Sequence, residues 1–168
     1  MKPLVSQVPM MVQVGNHEME TQGGGVQFAA YNARFAVPSK ESGSGNNLYY
    51  SFNAGGVHFV ILESYTDYNV TSWVIYILYW IQPLLILSFG DSKQKDFPST
   101  GEQYKWLEKD LKKVDRSVTP WLIASWHSPW YNSYNSHYQE FECMSQHMED
   151  LLYEYGVDLA FHGHVRGH

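Results

Sequence analysis

Four residues whose side chains can bind a metal ion or transfer a proton each follow a short apolar segment of this 168-residue chain. They are Asn16, His17, His127 and His164. An asparagine offers a hard amide oxygen, and a histidine offers either an imidazole ligand or an acid and base that titrates near neutral pH. Together the four residues predict a metal-binding site.

The three apolar segments before these residues are predicted to be β-strands, and the first of them is predicted to be largely buried. They cover residues 8–14, 120–126 and 157–161, and each is short and bounded by glycine, proline or polar residues. Ligands of open α/β sheets bind where the loops at the carboxyl ends of the strands converge. The alternative for Gly15-Asn16 is an ordinary turn, since Gly-Asn is a common turn dipeptide. One histidine at a strand end is usually structural, but three such strand ends favour a site.

The residues around these histidines resemble the metallophosphoesterase superfamily. Gly15-Asn16-His17-Glu18, the strand that ends at His127, and Gly163-His164-Val165 are similar to three of its five sequence blocks. Residues 125–134, followed by Ser136-His137-Tyr138, are similar to plant purple acid phosphatases of the phytase-like branch. Apart from one internal stretch, the resemblance covers nearly the whole chain.

This resemblance implies a binuclear metal centre in which ferric iron is paired with Zn²⁺, Mn²⁺ or Fe²⁺. Asn16, His127 and His164 match the ligands of the divalent metal. His17 matches a histidine that contacts phosphate near the metals, and His137 matches the histidine that protonates the leaving alcohol. The implied activity is that of an acid phosphatase, which hydrolyses small phosphate monoesters, phytate among the candidates, by attack of a metal-bound hydroxide.

The same resemblance identifies ligands that this chain lacks. In the family, two further blocks precede the Asn-His block. They supply an Asp and a Tyr to the iron, and a second Asp that bridges both metals. Residues 1–14 of this chain contain no Asp, Glu or Tyr. Arg166 stands where the family has a second histidine, and a guanidinium cannot coordinate a cation. His168 is the remaining candidate to replace it. We expect the chain to retain only the divalent-metal ligands; the alternative to an impaired phosphatase is a non-catalytic truncated homologue that binds metal or phosphate weakly.

The expected fold class is α/β, a partial metallophosphoesterase β-sandwich flanked by helices and built from βαβ units, without the N-terminal part of the catalytic domain. A β-hairpin is predicted over residues 49–62 through a glycine-rich turn. Helices are predicted over residues 103–111 and about 140–155 from their apolar stripes. His58, inside the hairpin, is predicted to be structural. Residues 1–168 are expected to form one partial catalytic domain.

A foreign apolar insertion is expected within this domain at about residues 70–100. Its most apolar part, residues 73–89, is 17 residues long and is interrupted by Gln82 and Pro83, whereas a transmembrane helix needs about 20 apolar residues. A membrane crossing is also awkward between two elements of one domain. We therefore prefer an insertion, such as translated intron sequence, and expect no membrane span.

Composition narrows the function classes further. The net charge of −6, from 11 basic and 17 acidic residues, gives no basic surface for nucleic acid. A hydrophobic fraction of 44% argues against disorder. The single cysteine cannot form an internal disulfide, and no signal peptide is recognised, so a secreted, extracellular location is expected from the resemblance alone. Asn69 begins a glycosylation sequon, and the sequence leaves dimerisation open.

Overall fold

The structure is a computed structural model that describes residues 7–19, 26–65, 101–134 and 141–165. Its elements follow in chain order as a one-turn 3-10 helix (Asn16–Met19), α1 (Ala29–Arg34), α2 (Ser39–Ser42), β1 (Tyr50–Ala54), β2 (Val57–Ile61), α3 (Glu102–Leu111), β3 (Trp121–Ser125), α4 (Glu142–Glu154) and β4 (Leu159–Phe161). The predicted helices over residues 103–111 and 140–155 are confirmed as α3 and α4.

The four strands form one mixed sheet in the order β1-β2-β3-β4. β1 pairs with β2 in antiparallel fashion, whereas β2 with β3 and β3 with β4 are parallel pairs. Parallel neighbours need a crossover connection, and the two helices α3 and α4 come before β3 and β4 in the chain. The expected α/β class is confirmed.

The hairpin of β1 and β2 closes through a turn that only glycine occupies readily. Gly55 and Gly56 have φ angles of 59° and 79°. Positive φ at both central residues is the requirement of a type I′ turn, whose twist matches that of the flanking strands. This turn places Ala54 opposite Val57, and the pairing continues to Tyr50 opposite Ile61.

Helices α3 and α4 bury one face of the sheet. Trp106 and Leu107 from α3 pack with Leu151 and Leu152 from α4, and the strands contribute the side chains of Val60, Leu122 and Ala124 to the same cluster. The opposite face is open in the described part of the chain, where Trp121, Leu159 and Phe161 are 52–58% exposed. The helices therefore cover β2 and β3 from one face, whereas β4 is exposed and is held by its pairing with β3. Both β3 and β4 end at the candidate site.

The predicted strand over residues 8–14 is wrong, because the structure assigns no strand to these residues. The backbone of Val12 forms hydrogen bonds with the side chain of Tyr50 and not with a neighbouring strand. The Val12 N–H donates to Tyr50 Oη over 2.9 Å, and Tyr50 Oη donates to the Val12 carbonyl over 2.6 Å. Val8 and Met10 stay 47% and 45% exposed. The segment is therefore anchored at Val12 and is not an element of the sheet.

Two buried tyrosines make the fold sensitive to alkaline pH. Burial raises the pKa of Tyr31 and Tyr50, and the charges of Tyr50 and Glu18 raise the pKa of Tyr31 further. A phenol whose pKa is higher in the folded state stabilises the fold fully below the pKa of the unfolded chain, about 10, and loses this contribution as pH rises towards the folded value. We expect the urea midpoint of unfolding to be constant up to about pH 9 and to fall above about pH 10.

The control for this prediction is the Tyr31→Phe/Tyr50→Phe double variant. At neutral pH its free energy of unfolding should be lower by about 1–2 kcal/mol, because the Val12 backbone loses its hydrogen-bond partner. The urea midpoint should fall accordingly. Its further decline above about pH 10 should be shallower than that of the unaltered chain. An equally steep decline would show that other groups cause the alkaline loss.

The predicted insertion at about residues 70–100 and the sequon at Asn69 lie outside the described residues. Among the helices that are described, none is long and apolar enough to cross a membrane. The absence of a span within residues 73–89 stays a prediction.

Candidate metal centre

The loops that follow β3 and β4 run side by side. The Trp126 N–H donates to the carbonyl of Phe161 over 3.0 Å, and the Gly163 N–H donates to the carbonyl of His127 over 2.9 Å. These two hydrogen bonds extend the pairing of the parallel strands past their carboxyl ends. His127 and His164 are thereby brought to the same edge of the sheet.

Three of the predicted site residues, Asn16, His127 and His164, are in contact through the Nε2 atom of His127. His127 Nε2 lies 3.2 Å from Asn16 Oδ1 and 3.2 Å from His164 Nδ1. The two imidazole rings are 5.0 Å apart between centroids and are inclined at 65°. Residues separated by 111 and 37 positions in the chain thus bring three donor atoms together.

This donor set fits a single divalent cation. Nitrogen and oxygen ligands lie about 2.0–2.2 Å from zinc, so two ligands of one ion are about 3.0–3.5 Å apart. Both contacts of His127 Nε2 fall in that range. The described residues contain no group of three or more His, Cys, Asp and Glu placed to hold a metal, because the third donor here is an amide oxygen. The cluster is therefore a set of neutral ligands without a carboxylate.

The electrostatic surroundings favour a neutral His127. Burial lowers its pKa below the usual imidazole value, the neighbouring His164 and His17 lower it further, and Glu18 opposes them. A neutral imidazole keeps one nitrogen lone pair available, which is the form that a metal ion requires. The partly buried position of His127 thus supports a ligand role.

His164 has a backbone conformation that is unusual for its residue type. Its φ angle is 67°, in the left-handed region, which few residues other than glycine adopt. The Val165 N–H donates to the Gly163 carbonyl over 2.8 Å and closes the turn around it. Phe141 presents its ring edge-on to the imidazole, with centroids 5.8 Å apart at 89°. Strained backbone of this kind clusters at functional sites, where it aims a side chain.

The loop after His127 is fixed by residues that the sequence analysis missed. Ser128 is fully buried, its N–H donates to Ser64 Oγ over 3.4 Å, and its Oγ donates to the Tyr65 hydroxyl over 3.0 Å. The ring of Tyr65 lies 6.1 Å from the ring of His127. The sequence indicates this contact only through the positions of Ser64 and Tyr65. They follow β2, and so lie at the same edge of the sheet as His127.

Gly15 and Glu18 form a further missed contact beside His127. The Gly15 N–H donates to Glu18 Oε2 over 2.8 Å. A methyl group on Gly15 would lie 3.0 Å from that oxygen and 3.1 Å from His127 Cε1. Glu18 follows Gly15 by three residues, which is the spacing of a capping box. This spacing is the feature of the sequence that indicates the contact.

We expect Gly15→Ala to lower the zinc affinity of the chain roughly tenfold or more, because the added methyl must push the His127 ring or the Glu18 carboxylate away. Isothermal titration with Zn²⁺ measures this. Gly163→Ala is the matched control, since its methyl would lie 3.8 Å from the nearest atom, the His127 carbonyl oxygen. Equal losses in both variants would contradict the steric argument.

The remaining predicted residues divide into two groups. His17 is exposed in the same one-turn helix as Asn16, and its charge contributes to the lowered pKa of His127. His137, Arg166 and His168 lie outside the described residues. The structure therefore brings Asn16, His127 and His164 into contact and leaves the proton-donor assignment to the sequence.

An α/β sheet with two histidines after neighbouring parallel strands, and an asparagine in contact with one of them, is consistent with a phosphoesterase. The sequence profile described as Calcineurin-like phosphoesterase matches residues 1–166, and the chain belongs to this family. This confirms the resemblance that the histidine motifs suggested.

Relatives of this chain include plant purple acid phosphatases. The chain is 54% identical to purple acid phosphatase 23 and 50% identical to purple acid phosphatase 15, both from Arabidopsis thaliana; each match covers 100% of this chain, but 30% and 26% of the relatives. The solved structure of a purple acid phosphatase from yellow lupin (Lupinus luteus) seeds matches with a TM-score of 0.68 and 28% identity, over 98% of this chain and 26% of that one. The chain thus spans about a quarter to a third of these proteins.

Proposed function

We propose that this chain contributes the divalent-metal part of an acid phosphatase that hydrolyses small phosphate monoesters. The observation that supports this most strongly is the contact of His127 Nε2 with both Asn16 Oδ1 and His164 Nδ1 at 3.2 Å. Membership of the calcineurin-like phosphoesterases supports the reaction type. Similarity to purple acid phosphatases implies a binuclear metal centre in the whole enzyme.

Asn16, His127 and His164 would hold the divalent cation, which we propose to be Zn²⁺, Mn²⁺ or Fe²⁺. Such a cation, when bound, neutralises phosphoryl charge and acidifies water. His17, on the exposed side of the same turn as Asn16, would hold a phosphate oxygen. His137 would donate a proton to the leaving alcohol, and this role rests on the resemblance of residues 136–138. Phytate is the finer substrate proposal.

We also propose that the iron half of the centre is impaired in this chain. Arg166 replaces a histidine ligand of the family, and a guanidinium has no lone pair to offer. The Asn16, His127 and His164 donors are all neutral, so a second cation nearby would lack the negative charge that normally offsets it. This observation favours the alternative, a non-catalytic homologue that binds metal or phosphate weakly.

The metal-to-protein ratio of the purified chain, after equilibration with iron and zinc, tests the proposal. One zinc per chain, lost in a His164→Ala variant, would support the divalent site with an impaired iron site. Two tightly held metals would overturn the impairment. No bound metal would overturn the proposed site itself.

A phosphatase assay on the same preparation separates the enzyme from the alternative. Hydrolysis of para-nitrophenyl phosphate at acidic pH that depends on added metal would support catalysis by the chain. Binding of zinc without turnover would support the non-catalytic homologue. Release of phosphate from phytate, compared with the simpler ester, tests the finer substrate.

Three finer statements belong to this proposal. Residues 1–168 would form a partial catalytic domain with a foreign insertion at about residues 70–100, and a transcript that encodes this stretch in a productively translated frame would overturn the insertion. The protein would be secreted and glycosylated at Asn69. Detection of the glycosylated chain in the extracellular fraction tests both of these last points.

A further inference from the structure

The turn that presents Asn16 has little backbone support of its own. It is a one-turn 3-10 helix, Asn16–Met19, and the residues before it form no strand. Short 3-10 turns have poor hydrogen-bond geometry, and the backbone bond from the Glu18 N–H to the Gly15 carbonyl is 3.2 Å long. Contacts at Val12 and Gln13 anchor the chain before the turn, and contacts within the turn must set the position of Asn16 itself.

The side chain of Glu18 supplies that constraint. Glu18 Oε2 accepts a 2.8 Å hydrogen bond from the Gly15 N–H, which closes the turn from the opposite direction to the backbone bond. A carboxylate that accepts from a backbone N–H makes a charge-assisted hydrogen bond, one of the stronger kinds. The Glu18 carbonyl also accepts a 3.2 Å bond from the Phe28 N–H, which ties the turn to the start of α1. The Glu18 side chain therefore closes the turn at Gly15, while its backbone carbonyl ties the turn to α1.

The closed turn rests directly on the candidate site. Gly15 is buried, and its α-carbon faces both Glu18 Oε2 and the His127 imidazole. Asn16 Oδ1, which belongs to the next residue, is 3.2 Å from His127 Nε2. If the hydrogen bond between the Gly15 N–H and Glu18 Oε2 opened, the turn could move. The distance between Asn16 Oδ1 and His127 Nε2 would then change.

We infer that Glu18 is a positioning residue, which sets the distance of Asn16 from His127 by accepting the Gly15 N–H. This inference rests on the proposed function, since the distance matters for holding a cation. Glu18 acts through the turn and not as a ligand. A glutamine at this position, whose side-chain oxygen can accept the same hydrogen bond, should therefore preserve its role.

The test compares Glu18→Ala and Glu18→Gln in the full 168-residue chain, with Zn²⁺ as the probe in isothermal titration. Loss of a residue that orients a metal ligand lowers affinity by roughly 10–100-fold, and we expect that loss in Glu18→Ala. Glu18→Gln should stay near the unaltered affinity. Glu108→Ala is the matched control, because Glu108 is a surface glutamate that pairs with Lys112 over 2.7 Å. The urea midpoint should be unchanged in all three variants, since Glu18 is exposed.

Two results would overturn the inference. Equal zinc affinity in Glu18→Ala and the unaltered chain would show that the turn needs no such bond. A loss in Glu18→Gln as large as in Glu18→Ala would show that the carboxylate acts by its charge and not by accepting the Gly15 N–H.

Hydrogen exchange at the Gly15 amide decides the inference even if no zinc binds. If the unaltered chain binds no zinc, the proposed metal site fails, yet the Gly15 amide still reports on the turn. We expect slow exchange in the unaltered chain and in Glu18→Gln, and faster exchange in Glu18→Ala. Equal exchange rates in all three would overturn the positioning role.

Discussion

Replacing His127 by alanine is expected to lower the affinity of the chain for a divalent metal by at least roughly 100-fold. His127 Nε2 is the atom that contacts both Asn16 Oδ1 and His164 Nδ1, each at 3.2 Å. Without the His127 ring, Asn16 Oδ1 and His164 Nδ1 would remain as two separate donors, and the cation would lose the ligand between them. Titration with Co²⁺, followed by the visible absorption of the bound ion, measures both the affinity and the loss of a nitrogen ligand.

His162→Ala is the matched control for this prediction. His162 is an exposed histidine two residues before His164, and its ring contact is with Trp126, at 6.4 Å between centroids. Its substitution should leave the affinity and the Co²⁺ spectrum unchanged. Unaltered Co²⁺ binding in a folded His127→Ala variant would contradict the proposed ligand set.

Replacing Asp110 by alanine is expected to lower the free energy of unfolding by roughly 2–4 kcal/mol, because two buried polar groups lose their acceptor. Asp110 Oδ1 accepts from Ser51 Oγ over 2.9 Å, and Oδ2 lies 2.9 Å from His58 Nε2. The three residues are 5–8% exposed. They link β1, β2 and α3, so the loss should appear as a lower urea midpoint for the whole cooperative transition.

Two variants calibrate this loss. Asp115→Ala removes an exposed carboxylate that accepts hydrogen bonds from the Ser117 N–H and Oγ in its own turn, over 2.9 and 2.6 Å, and its urea midpoint should stay close to that of the unaltered chain. Ser51→Ala removes one partner of Asp110 and leaves His58 in place, so an intermediate loss of about 1 kcal/mol is expected. A midpoint for Asp110→Ala equal to that of Asp115→Ala would show that water replaces the lost acceptor.

Local pattern predicted most of the described elements correctly. The glycine pair at residues 55 and 56 indicated the turn, and both glycines have the positive φ that a type I′ hairpin needs. The apolar stripe of Trp106, Leu107 and Leu111 indicated α3, because side chains three to four residues apart share one helix face. His58, which was expected to be structural, is a member of the buried network with Asp110.

The failure over residues 8–14 has a physical cause. An apolar run shows that a segment can be buried or extended, but a strand exists only where another strand supplies hydrogen bonds. Here the partner of Val12 is the hydroxyl of Tyr50, 38 residues away. The amino-acid run contains no information about that side chain.

The sequence by itself determined the chemistry available to this protein. It specified an amide oxygen at Asn16 and imidazoles at His127 and His164, each within three residues of an apolar segment. This predicted the family, which is confirmed, and a metal site where the strands end, which stays a prediction. Tertiary structure alone decided that Nε2 of His127 and Nδ1 of His164 are the atoms that meet, and that Glu18 closes the turn of Asn16. The reason is that residue type and local periodicity fix each segment separately, whereas distances across 37 and 111 positions follow from how helices and strands pack.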